Sequence, residues 1–143
     1  MKTIALAVLA LAIPGLCSAK EKALFAGDVS LASARILDLS SFPNSVGPQH
    51  RLGPGVPADY GFTKIERRQD GAAVLIQTDD SWALTIRVLK IDGDTQFICF
   101  SDFGRQDARY GVVDPIIVRK GGDGLLHATG DHFEDPKCLP YQR

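Results

Sequence analysis

The fold class predicted by the sequence is mainly β: a small antiparallel meander forming a barrel or sandwich, with a short helix near the N-terminus. Two observations carry it. Trp82, Leu84, Ile86 and Val88 alternate with Ala83, Thr85 and Arg87, the period of two that marks a strand with one buried face. Turn signals also recur at short intervals: Gln69-Asp70-Gly71, Asp79-Asp80-Ser81, Asp92-Gly93-Asp94 and Gly121-Gly122-Asp123-Gly124. Asp-Gly steps tolerate the positive φ of tight hairpins, so successive strands become antiparallel neighbours.

The elements follow in order. Asp28 is placed to cap a short helix carrying Leu31, Ala34 and Leu37 on one face, at helical spacing. The segment from Ile36 to Phe42 also reads as a strand; the helix is favoured. Residues 43–61 hold four prolines and four glycines in nineteen positions. Proline removes a backbone donor and glycine loosens the chain, so this Pro/Gly-rich stretch reads as a long loop. A loop of that length in a small domain is either functional or without fixed structure. Strands are then predicted at Phe62–Arg68, Ala72–Thr78, the alternating run from Trp82, Thr95–Phe103, Ile116–Lys120 and Leu125–Thr129. Residues 104–114 read as a looser connection, with Pro115 starting the strand after it.

The N-terminus has the layout of a secretory signal peptide. Lys2 precedes an unbroken apolar run from Ile4 to Ile13, Pro14 and Gly15 break it, and Cys17-Ser18-Ala19 offers small residues at a cleavage site. Ten apolar residues are too few to span a bilayer, which takes roughly 20. A lipoprotein signal is disfavoured because Leu16 and Pro14 stand where a small and an aliphatic residue are required. Cleavage after Ala19 removes residues 1–19 and leaves 124 of the 143 as a single β-rich domain, residues 20–143. Losing Lys2 changes the 16 basic and 17 acidic side chains to 15 and 17. That near-neutral balance argues against a nucleic-acid partner, which demands a basic face. No second apolar run is long enough to cross a membrane, so none is expected to hold the chain there after cleavage. The expected compartment is periplasmic or extracellular.

Cys17 leaves with the signal, and Cys99 and Cys138 remain. Thiols in an oxidising compartment tend to pair, and two cysteines allow one intramolecular connectivity. A Cys99–Cys138 disulfide is therefore expected, tying the Pro-containing tail to the strand "QFICFS". Neither a CxxC pair nor another ligand spacing suggests a metal, and no cofactor motif is present.

Catalytic signatures are weak. His127 and His132 lie near Asp131, Glu134 and Asp135, a combination able to do acid–base work. Five residues apart along a strand, however, they point to opposite faces. There is no G-x-S-x-G nucleophile elbow, and the Asp pairs 79/80 and 92/94 sit in turns, where aspartate is favoured conformationally. The loops carry better binding chemistry: His50, Arg51, Asp59 and Tyr60 in the Pro/Gly loop, and Arg105, Arg109 and Tyr110 after the cysteine strand. Arg and Tyr are common interface anchors. The expected function is that of an exported, non-enzymatic binding protein, such as a proteinaceous inhibitor, docking a protein partner of the cell envelope or beyond. One alternative is a small-molecule binder whose barrel cavity is lined by Phe62, Trp82, Phe97, Phe100 and Phe103. The other is a small hydrolase with a dispersed site near His127 and His132.

Overall fold

In a computed structural model, residues 28–42, 53–106 and 110–141 are described. The 1–19 segment, His50, Arg51 and Arg109 lie outside them. Six strands follow in chain order: β1 Phe62–Arg67, β2 Ala73–Gln77, β3 Trp82–Asp92, β4 Thr95–Gly104, β5 Gly111–Lys120 and β6 Leu126–His132. They form one sheet in the order β1-β2-β3-β4-β5-β6, every pair antiparallel. This is the meander the turn signals predict. The sheet is open, since β1 and β6 do not pair.

Register sorts the side chains onto two faces. Leu75, Leu84 and Asp102 stand in one cross-strand row, and Ala73, Ile86, Phe100 and Asp114 in the next. This inner face carries most of the core: Leu75, Leu84, Ile86, Ile98, Phe100, Val118 and Leu126 are nearly inaccessible. Burial of side chains of this size contributes about 1.5–3 kcal/mol each. A helix at residues 28–35, α1, and the segment after it close the same face through Ala34, Leu37, Leu39 and Phe42. Phe42 packs on Phe100 with ring centroids 4.8 Å apart.

The helix is shorter than its apolar spacing suggests, and both readings of residues 36–42 hold in part. Asp28 stands within the helical run rather than ahead of it, and its carboxylate accepts from Arg67 Nη1 at 3.2 Å. Leu37 leaves the helix and makes a parallel bridge with Leu126. Leu126 N–H donates to Ile36 O at 2.7 Å, and Asp38 N–H to Leu126 O at 2.8 Å. A 3-10 turn, Leu39–Ser41, follows; Ser40 N–H donates to the Asp38 side chain and Leu39 N–H to Gly55 O. The N-terminal segment thus covers the β6 edge, which would otherwise present unpaired backbone groups.

Strand β5 begins at Gly111, so residues 111–114 belong to the sheet instead of the looser connection expected. Pro115 sits inside β5, opposite Cys99. It is tolerated because β6 pairs with β5 only from Ile116 onward, leaving residues 111–115 bonded on one side and the missing N–H without a ladder partner to lose.

On the outer face Cys99 is disulfide-bonded to Cys138, as the cysteine count predicts. Both are buried. The bond holds the 3-10 segment Pro136–Tyr141 against β4 and β5. Asp135 organises the entry to that segment, its side chain accepting from Lys137 N–H at 2.8 Å and its carbonyl from Cys138 N–H at 3.0 Å. Phe133 meets the edge of Phe97 at 5.4 Å beside it.

Candidate functional site

Pairing brings Phe62 opposite Gln77, Trp82 opposite Gly104 and Phe103 opposite Gly111. One end of the sheet therefore carries the 3-10 turn Pro57–Tyr60, the β2–β3 turn at residues 78–81 and the connection from Arg105 to Tyr110. These segments are tied together. Arg105 N–H donates to Ser81 O at 2.9 Å, Arg105 Nε lies 3.2 Å from Asp80 Oδ1, and Gln106 Nε2 donates to Asp79 O at 3.3 Å. Gln77, buried, donates through Nε2 to Tyr60 O at 3.1 Å and holds the 57–60 turn onto β2. Asp80 takes a positive φ of 60°, an uncommon conformation outside glycine that Asp tolerates in tight turns. Ser81 Oγ and N–H both face Asp79 Oδ1, at 2.6 and 3.1 Å, and keep that carboxyl below its usual range. An open depression of about 310 Å³, lined by Gly61, Gln77, Thr78 and Asp79, lies at this end.

Of the residues singled out for binding, Arg105 and Tyr110 stand at this end, with Tyr110 exposed. Asp59 is also exposed, and its Oδ2 accepts from Val56 N–H at 3.0 Å. Tyr60 is in the core, 1% exposed, where its ring edge lies 2.8 Å from the position a Cβ on Gly55 would take. Only glycine fits there.

The structure adds a group that sequence reading missed. Trp82 stacks on Tyr110, centroids 5.5 Å apart and planes 30° from parallel, and its indole N–H donates to Asp102 Oδ1. Asp102 is fully buried, and its Oδ2 has no hydrogen-bond partner. Burial pushes the carboxyl up to about 6, against the indole hydrogen bond, which favours the ionised form. Tyr110 is raised in turn, by partial burial and then by the charges of Asp102 and Asp114. The signal was present: in "FICFSDFG", Asp102 has the parity of Ile98 and Phe100, hence their inward face.

The histidines are not brought together. His127 Nδ1 lies 3.0 Å from Asp38 Oδ2, and Nε2 lies 3.0 Å from Asp123 Oδ1. The Asp123 hydrogen bond chiefly, and Asp38 after it, raise its pKa. Burial works against ionisation of Asp38, but hydrogen bonds from Ser40 Oγ and from the N–H groups of Gly55 and Ser40 outweigh it. With both ring nitrogens facing carboxylates, His127 has none left to activate a nucleophile. It acts as a staple between the N-terminal segment and the β5–β6 turn. Gly121 fits beneath it, where an added Cβ would stand 2.8 Å from His127 Nε2. His132 is exposed and pairs opposite Ile116. No group of three or more His, Cys, Asp or Glu side chains suited to a metal occurs among the described residues.

Nor do the aromatics share one cavity. Phe62 and Phe100 belong to the inner core, Trp82 packs against it at the sheet end, and Phe97 and Phe103 lie on the outer face. No helix among the described residues is long and apolar enough to cross a membrane. No family model, curated protein or solved structure matches the chain.

Proposed function

We propose that the chain is an exported binding protein, cleaved after Ala19 to a single domain, that docks a protein partner in the periplasm or outside the cell. The docking surface is the loop-bearing end of the sheet. The observation that carries this reading is that Asp59, Arg105 and Tyr110 stand at the same end of the sheet, on segments more than forty positions apart, with Tyr110 stacked on Trp82. Aromatic and arginine side chains grouped at one rim are the residues that dominate binding energy at protein interfaces. A disulfide agrees with an oxidising compartment, and it fixes the opposite flank of the sheet without occupying this end.

The test is capture of a partner from extract of the native cell envelope, with mature protein as bait. A partner retained by the wild type and by Lys90→Ala, at the far end of the sheet, is expected to be lost with the Arg105→Ala/Tyr110→Ala pair. Equal retention by all three, or none by any, overturns the proposal.

A further inference from the structure

We infer that Trp82, Asp102 and Tyr110 form a subsite for a cationic side chain, an arginine guanidinium or a lysine ammonium, presented by the docked partner. The inference rests on the docking reading above and names what the rim recognises. Asp102 has one oxygen engaged by Trp82 and the other buried without a donor. An ionised carboxylate accepts at several lone-pair positions, and leaving one unmet in a buried site is costly. A guanidinium supplies the missing donors and stacks on aromatic faces with the same plane. Both aromatic walls are in place, Trp82 half-buried and Tyr110 41% exposed, and cations favour such ring faces. Asp114 shares the inner face with Asp102, two residues beyond its cross-strand partner Val112. Its charge adds to the negative field and repels an anionic ligand. Asp102 is fully covered, so the incoming group reaches it only as side chains over it give way.

Around Asp102, β3 offers Trp82 and Leu84 and β2 offers Leu75 and Gln77, none of which titrates. Among the described residues, Tyr110 feels the charges of both Asp102 and Asp114. Raised to about 6, the Asp102 carboxyl is mainly ionised at pH 7.5 and mainly protonated at pH 5.

Trp82 is the only tryptophan of the chain, so its emission reports the site directly. Nα-acetyl-arginine amide is expected to change that emission saturably at pH 7.5. Binding should be about tenfold weaker at pH 5, where roughly one Asp102 carboxyl in ten is ionised. The neutral citrulline amide, and folded Asp102→Asn protein given the arginine probe, should show no saturable change. A response equal for arginine and citrulline, no saturable response at all, or wild-type binding by folded Asp102→Asn overturns the subsite. Should that variant fail to melt cooperatively, the arginine–citrulline comparison at the two pH values decides with wild-type protein alone. Envelope capture that survives in Asp102→Asn while the arginine probe is silent sinks the subsite and leaves the docking reading standing. Failed capture beside a working probe does the reverse.

Discussion

Asp102 holds its proton to about pH 6 in the folded chain, against 3.8 for an ordinary aspartate. Between those values the folded state binds more protons than the unfolded one, so stability falls as pH rises from about 4 to about 6 and stays lowered above that. The full difference is about 3 kcal/mol. Asp102→Asn, nearly isosteric and still able to meet the indole N–H, is expected to gain about 1–3 kcal/mol at pH 8 and to flatten the profile. Urea unfolding at pH 5 and pH 8 measures both; a variant keeping the wild-type slope contradicts the assignment. His127 runs the other way. Its stabilisation is complete below its ordinary value of 6.5 and is lost as pH rises through the raised folded value. Asp38 and Asp123 contribute above 3.8, a contribution lost as pH falls through their lowered values. Asp38→Ala removes the acceptor for Ser40 and Gly55 together. The expected cost is about 2–3 kcal/mol by denaturant unfolding. The cysteine pair was legible because reading Cys17 as part of a signal leaves two thiols to choose from. The His127 staple was not, because its buried partner, Asp38, lies 89 positions away and no local pattern encodes so distant a contact.

Among the elements, turn chemistry was the most readable signal: each Gly/Asp cluster lies at a hairpin, and every predicted strand exists. Errors fell where tertiary contacts override local preference. Pro115 suggests a strand start, yet β5 runs four residues further back because that half of the strand pairs on one side only. Leu37 has helical spacing, but its backbone is drawn out to meet β6. The C-terminal 3-10 segment depends on a covalent tie. Cys138→Ser, expressed in an oxidising compartment, is expected to cost about 2–4 kcal/mol. It should also speed amide exchange selectively over residues 133–141. Uniform protection across that segment in the variant would show that packing alone retains it.

At the scale of the molecule, the fold class and the order of strands were open to sequence reading because a meander joins nearest neighbours only. The candidate site was half legible. Arg105 and Tyr110 could be named from composition, but their placement at the same sheet end as Asp59 depends on register, which no short motif prints. The export reading has its own check. Intact mass of protein from the native host is expected to match residues 20–143 with two hydrogens lost to one disulfide; a full-length chain with free thiols refutes both points.

The bridge between Leu37 and Leu126 has a consequence for how the chain is born. Residues 36–38 are made well before the strand they seat against, since Leu37 and Leu126 are 89 positions apart. Hairpins can zip one after another, but this seam waits until β1 to β5 have all been made, and long-range closure of this kind is slow. A product cut short before Leu126 would keep its early hairpins with an unfinished rim and a stranded leader segment, a natural substrate for edge-to-edge aggregation and for the proteases that clear it.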